Sequence, residues 1–137
     1  MGSPQMNLVP ATLVADGSDL CLEFGSNKIK LPASKINDVV KEHVGQEVVF
    51  GIRPEDIHDE EAFISAFPSA VVNVEVDFSE LMGAETYLYL LADENKFTAR
   101  VNPRTTAKTG DSIKVAFDME KLHLFDKDTE LSITREV

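Results

Sequence analysis

Apolar and polar residues alternate along most of this chain in short runs, as they do in β-strands that bury one face. Turn residues separate the runs, and Asp16-Gly17 and Gly25-Ser26-Asn27 are favoured hairpin turns. The clearest alternating runs are residues 20–24, 28–31, 72–78 and 97–101. Many short strands at even spacing predict an all-β barrel or sandwich rather than parallel βαβ units.

One segment departs from this alternation and predicts a single short helix. Residues 34–44 carry apolar side chains at helical spacing. Ser34 is the predicted N-cap, and Gly45 ends the helix because glycine readily adopts the left-handed conformation found there. The predicted fold class is therefore all-β with one helix near residues 34–44.

Two stretches of the chain resemble each other and predict two barrel-like halves within one domain of 137 residues. Residues 45–52 and 110–119 both run from a glycine turn through a strand to a phenylalanine, and each then reaches a histidine, His58 or His123. Duplication of one unit and two strands that independently solve the same packing problem explain this similarity equally well. The predicted halves are residues 1–68, which include the helix, and residues 69–137.

The composition is that of a soluble globular protein, with 43% hydrophobic and 27% charged residues. The net charge of −11 repels phosphate backbones and anionic lipid, so nucleic acid is not an expected partner. No apolar run approaches the length of a membrane span, and residues 1–5 lack the features of a signal peptide, so we expect a cytoplasmic location. The single cysteine, Cys21, fits a small buried residue in a reducing compartment.

Motifs for catalysis, cofactors or metals are missing from the sequence. A phosphate-binding loop needs glycines followed by Lys and Ser or Thr, and no Gly-Lys pair occurs in the chain. The three histidines are far apart and lack a second cysteine, which argues against a metal site. The acidic residues 55–61 fit a solvated loop better than a weak cation site. We expect no catalytic, cofactor-binding or metal-binding residue, and we expect a binding or interaction module.

The string Gly51-Ile52-Arg53-Pro54-Glu55-Asp56-Ile57-His58 resembles the signature of the C-terminal domain of ABC importer ATPases of the maltose and multiple-sugar (MalK-like) type. Further segments fit the same domain in the same order, and the resemblance covers nearly the whole chain. These segments are residues 2–7, 82–89, 97–101 and 116–126.

The resemblance implies a transport-associated OB-fold-like barrel, known as the TOBE or MOP-like type. In such proteins this domain follows the nucleotide-binding domain, pairs with its twin and receives regulatory signals. The implied partners are a second copy, the ATPase domain, membrane permease subunits and a regulatory protein, at the inner face of the cell membrane. The nucleotide-binding domain is missing from this sequence, so we expect no ATPase activity and no cofactor.

The signature also has a structural interpretation. Pro54 fixes φ and ends the preceding strand, and Gly51 permits a bulge or a close approach of another group. Arg53 is placed to form an ion pair with Glu55 or Asp56, either within the chain or across a dimer. The candidate regulatory or dimer-interface residues are Gly51, Arg53, Pro54, Glu55, Asp56 and His58.

A small-ligand sensor for a sugar or an oxyanion is the alternative function. Residues 105–110, which are rich in Thr and contain Lys108, are the best local candidate for an oxyanion site, although the overall field is negative. Oligonucleotide binding ranks last because there is no Trp, and Tyr87 and Tyr89 have acidic neighbours.

Overall fold

The computed structural model describes residues 5–134. Ten strands and two short helices follow one another along the chain. They are β1 (Asn7–Asp16), β2 (Asp19–Phe24), β3 (Asn27–Lys30), α1 (Asp38–Glu42), β4 (Glu47–Ile52), β5 (Ile57–His58), α2 (Glu61–Ala66), β6 (Val71–Met82), β7 (Glu85–Ala92), β8 (Asn95–Val101), β9 (Ser112–Phe117) and β10 (His123–Asp126). Single 3₁₀ turns lie at Ala33–Lys35, Pro54–Asp56, Pro68–Ala70 and Met119–Lys121.

The strands form two antiparallel five-stranded sheets with the same internal order. The first sheet runs β10-β4-β1-β2-β3 and the second runs β5-β9-β6-β7-β8. Each sheet is completed by a strand from the other part of the chain. Leu124 of β10 lies opposite Phe50 of β4, and Ile57 of β5 lies opposite Phe117 of β9. The two sheets are therefore interlocked, whereas a boundary at residue 68 stays a prediction.

The segments that resemble each other in sequence also occupy equivalent places in the two sheets. Gly45 and Gly110 have φ of 85° and 89°, and their N–H groups donate to the carbonyls of Leu13 in β1 and Val76 in β6 at 2.6 and 2.7 Å. A positive φ is easily adopted by glycine, which explains why this residue type recurs at both positions.

Four phenylalanines join the two sheets into one core. Phe24 and Phe50 come from the first sheet, and Phe97 and Phe117 come from the second. Every pair of rings has centroids 5.0–6.5 Å apart, a range in which aromatic rings attract one another. All four side chains are buried, so neither sheet has a separate hydrophobic core.

The all-β class is confirmed, but the predicted helix is wrong in its limits. Ser34 lies in the first 3₁₀ turn and donates to Glu120, and Ile36 has extended backbone that separates this turn from α1. The N-cap of α1 is Asn37, whose Oδ1 accepts the N–H of Val40 at 2.8 Å. Helix α2, which has six residues and buries none of them, was not predicted from the sequence.

Candidate functional site

The signature segment lies where β4 ends and turns into β5. Gly51 is in the middle of the sheet, opposite Leu8 of β1 on one side and His123 of β10 on the other. A Cβ at Gly51 would collide with the sulfur of Met6 and lie 3.0 Å from the ring of Phe125. The close approach of these side chains favours glycine here, since Met6 would have to move to admit a Cβ, and regular pairing on both sides excludes the bulge.

The turn after Gly51 is tied to the equivalent turn of the second sheet. The Asp56 N–H donates to the Arg53 carbonyl, and the Asp56 carbonyl accepts the N–H of Asp118, both at 2.9 Å. Pro54 and Asp56 are buried, and burial followed by the nearby charge of Glu55 raises the pKa of the Asp56 carboxyl. Among the signature residues, only Arg53 and Glu55 are exposed to a partner.

Within the chain, Arg53 forms no ion pair with Glu55 or Asp56, and a pair across a dimer stays a prediction. Within residues 5–134, Arg53 is in no salt bridge. The backbone at Arg53 is extended, with φ −77° and ψ 151°, as it leaves the strand for the 3₁₀ turn. Arg53 instead lines a cleft on the surface of the first sheet.

His58 is packed against α2. Its ring stacks on Phe63 with centroids 4.0 Å apart, and its Nδ1 lies 3.2 Å from a carboxylate oxygen of Glu60. The environment of His58 is therefore set by a helix that the sequence pattern does not predict.

Three cationic or titratable side chains from separate parts of the chain meet in the cleft, which we name the Arg53 cleft. Lys35 from the first 3₁₀ turn, Arg53 from the end of β4 and His123 from β10 line it, together with Ser132 and Thr134. Its volume is about 500 Å³, and Met6 and Phe125 supply its apolar wall. Burial, then Lys35 and Arg53, lowers the pKa of the His123 imidazole.

Sequence reasoning missed this cleft because Lys35, Arg53 and His123 are far apart along the chain. The only sequence signal was the equivalent spacing of His58 and His123 after the two similar strands. That signal marked a histidine, but it did not indicate that Lys35 would lie beside it.

Residues 105–110, which the sequence suggested as an oxyanion site, lie beside acidic side chains. The Thr105 hydroxyl donates to the Asp59 carboxylate at 2.5 Å, and the Lys108 N–H donates to Asp111 at 2.9 Å. The adjacent cleft is lined by Asp59, Glu60 and Glu61. This arrangement disfavours an anion site at residues 105–110, because the Thr105 hydroxyl and the Lys108 N–H already donate to carboxylates and the adjacent side chains are acidic.

A second surface feature is the end of the β6–β7 hairpin, residues 77–89, which we name the β6–β7 arm. Phe78, Leu81 and Met82 are 46%, 68% and 48% exposed there. The ring of Phe78 stacks on Tyr89 with centroids 4.2 Å apart. The Tyr89 hydroxyl donates to Glu80 at 3.1 Å, so cross-strand contacts hold the arm in shape.

The arm also presents a free strand edge. Strand β9 pairs with β6 only as far as Glu75, and the loop before β9 bonds to Val76. Beyond this point β6 pairs with β7 alone among the described strands. An exposed edge with apolar side chains is a site at which another strand can pair.

Two family models match the sequence of this chain. The model of the MalK OB fold domain matches residues 2–57, and the model of the TOBE domain matches residues 50–125, which is more than half of the chain. The chain belongs to the TOBE domain family. The resemblance to the C-terminal domain of sugar-importer ATPases is thereby confirmed.

The relatives of this TOBE domain are ATP-binding proteins of sugar importers. It is 38% identical to the oligosaccharides import ATP-binding protein MsmX of Bacillus subtilis, over 97% of this chain and 36% of that protein. It is 35% identical to the multiple sugar-binding transport ATP-binding protein MsmK of Streptococcus mutans, over 97% of this chain and 35% of that protein. It is 34% identical to the trehalose/maltose import ATP-binding protein MalK of Thermococcus litoralis, over 97% of this chain and 36% of that protein. The chain spans about a third of the length of these relatives.

A solved structure shares the fold of this TOBE domain at low sequence identity. The cytoplasmic molybdate-binding protein ModG superposes with a TM-score of 0.63 at 13% identity, covering 90% of this chain and 98% of that one. At this identity the likeness establishes the fold alone. Within residues 5–134, no cluster of three His, Cys, Asp or Glu side chains is arranged to hold a metal ion, and no helix is long and apolar enough to cross a membrane.

Proposed function

We propose that this TOBE domain is the regulatory and dimerisation domain of the ATP-binding subunit of a sugar ABC importer. Its relatives are import ATP-binding proteins about three times its length, and they match it over nearly all of its residues. The domain itself hydrolyses no ATP. In the parent protein its partners are the ATPase domain, the permease subunits and a regulatory protein, at the cytoplasmic side of the membrane.

The observation that carries the dimerisation proposal is the apolar, unpaired edge of the β6–β7 arm. Two copies joined through this edge would form a continuous antiparallel sheet across a twofold axis. A register centred on Ser79 places Asp77 opposite Leu81 and Phe78 opposite Glu80, so no acid lies directly opposite an acid. A register centred on Glu80 would place two like charges side by side, which is destabilising. The edge is therefore self-complementary in spite of the net charge of −11.

The signature turn is the second proposed contact. Gly51, Pro54 and Asp56 are buried, so their part is to hold the turn in shape. Arg53 and Glu55 are the exposed members that could reach another chain, and His58 is half-buried beside them. This surface is more polar than the arm, and we rank it below the arm for that reason.

Sedimentation equilibrium of the purified chain tests the proposal. We expect a concentration-dependent dimer that is favoured by salt, because salt screens the repulsion between two acidic copies. Leu81→Glu should weaken the dimer by at least about tenfold in Kd, since it places a charge in the apolar contact. Leu131→Glu is the matched control, because Leu131 is equally exposed at 68% but lies outside the arm.

The variant Arg53→Glu shows which of the two surfaces forms the dimer contact. If the arm makes the contact, this variant dimerises nearly as well as wild type. If Arg53→Glu abolishes the dimer and Leu81→Glu does not, the contact lies at the signature turn. A wild-type chain that stays monomeric at high concentration and high salt would contradict self-association through either surface.

A further inference from the structure

The Arg53 cleft concentrates positive charge on a protein whose net charge is −11. Lys35, Arg53 and His123 line it together, and none of the three is in a salt bridge within residues 5–134. Lys35 and Arg53 are the cations of this set, and an anion bound between them would be attracted by both charges. We propose that the Arg53 cleft binds a phosphate-type oxyanion, either inorganic or carried by a small phosphate monoester.

Hydroxyl donors complete the site. The Ser132 Oγ is buried and has no hydrogen-bond partner within residues 5–134, a state that is unfavourable for a buried hydroxyl. The Thr134 Oγ1 accepts the N–H of Leu124 at 3.3 Å, which leaves its O–H free to donate elsewhere. Both residues line the cleft. A phosphate oxygen placed there would accept from the Thr134 hydroxyl while its charge is balanced by Lys35 and Arg53.

The side chains around His123 fit an anion rather than a cation. Burial, followed by the charges of Lys35 and Arg53, lowers the pKa of His123, and Asp56 is the acidic side chain that acts in the opposite direction. Asp56 itself is buried and does not line the cleft. His58 is the equivalent histidine in the second sheet, and its neighbour is the acidic Glu60 rather than a pair of cations.

The dimensions of the cleft accommodate more than the phosphate group. Its volume of about 500 Å³ exceeds what a bare oxyanion fills, and Met6 and Phe125 form an apolar wall. The organic part of a small monoester would contact this wall. The cleft is separate from the β6–β7 arm, so the proposal does not depend on a dimer formed through the arm.

Calorimetric titration of the full chain with inorganic phosphate and with glucose 6-phosphate tests the site, and glucose serves as the neutral control. We expect saturable binding of one or both anions and none of glucose. Arg53→Gln and Lys35→Gln should each weaken binding by at least about tenfold, as expected for loss of a charge-assisted contact. Arg104→Gln is the matched control, because it removes the same charge from an exposed site outside the cleft and should leave affinity within about twofold.

The two ligands identify the source of the oxyanion. Equal affinities assign the site to the phosphate group alone, whereas tighter binding of glucose 6-phosphate assigns a contribution to the apolar wall. As a second measurement, the pKa of His123 followed by NMR should rise when the anion binds in wild type, in Arg104→Gln and in the monomeric Leu81→Glu. Failure of both anions to bind saturably, or equal weakening by Arg104→Gln and Arg53→Gln, would overturn the proposal.

Discussion

His43 connects α1 to the turn that follows β10. Its Nδ1 lies 2.8 Å from the carbonyl of Val39, and its Nε2 lies 2.8 Å from the carboxylate of Asp126. Because both partners accept hydrogen bonds, the charged imidazolium can donate from both ring nitrogens, and these two contacts favour it over the neutral ring. The bond to Asp126, followed by the bond to Val39, raises the pKa of His43. The same bond to His43, together with backbone N–H donors, lowers the pKa of Asp126 to about 2.

These pKa shifts predict a pH-dependent stability. The raised pKa of His43 adds stability that is complete below its ordinary value of about 6.5 and is lost as pH rises through the folded pKa. The lowered pKa of Asp126 adds stability that is lost only as pH falls from about 4 toward 2. Thermal unfolding of wild type and His43→Gln should therefore differ by a few degrees at mildly acidic pH and converge at alkaline pH.

Because the pKa of His123 is lowered in the folded protein, its contribution to folding stability falls as pH drops. This dependence has the opposite sign to that of His43. Because His123 is present in wild type and in His43→Gln, its effect cancels in the difference in Tm between the two proteins. Equal differences in Tm at the two pH values would show that the His43–Asp126 pair carries no linked proton.

Helix α1 has only five residues, too few to be stable by itself, and depends on contacts at its ends. Asn37 supplies two of them. Its Oδ1 accepts the N–H of Val40, and its Nδ2 donates to the carbonyl of Ile133 at 3.0 Å. Val40 is fully buried, so this cap also fixes a core residue. The helix is thus attached to the strand region at the far end of the chain.

Replacing Asn37 should therefore cost more than replacing the residue that the sequence suggested as the cap. We expect Asn37→Ala to lower the free energy of unfolding by about 1–2 kcal/mol, since it removes the cap and the bond to Ile133. Ser34→Ala loses only an exposed bond to Glu120 and should cost about 0.5 kcal/mol or less. Urea unfolding measures both, and an equal cost for the two variants would contradict the assigned cap.

The elements that depend only on local sequence were predictable. The hairpins at Gly17 and Gly25 are such cases, because the turn residues and the flanking alternation are local. The cap of α1 was not predictable, since Ser34 and Asn37 are both good caps and a contact with Ile133 accompanies the choice of Asn37. The Arg53 cleft depends on the pairing of β10 with β4, and no local pattern encodes that pairing.

The whole molecule is held together by the exchange of strands between the two sheets. Strand β10 completes the first sheet, β5 completes the second, and the four core phenylalanines come equally from both. A further link joins the turns of two hairpins, where the Ser26 N–H donates to the Asp93 carboxylate at 2.7 Å. A Cβ on Gly25 would collide with that carboxylate, so glycine is needed for the link. Neither sheet can lose its structure without exposing residues of the other.

This interlocking predicts that the domain unfolds as one cooperative unit. In urea, amide signals from Leu22 in β2 and Leu88 in β7 should disappear with the same midpoint, because both residues lie in the shared core. Phe117→Leu leaves a gap beside three other rings and should cost about 1–3 kcal/mol, which lowers both midpoints equally although the substitution is in the second sheet. Phe67→Leu is the matched control, since Phe67 is 50% exposed and its replacement should shift neither midpoint appreciably. Two separate transitions, with only the Leu88 midpoint lowered by Phe117→Leu, would mean that each sheet folds by itself and that the shared aromatic core does not couple them.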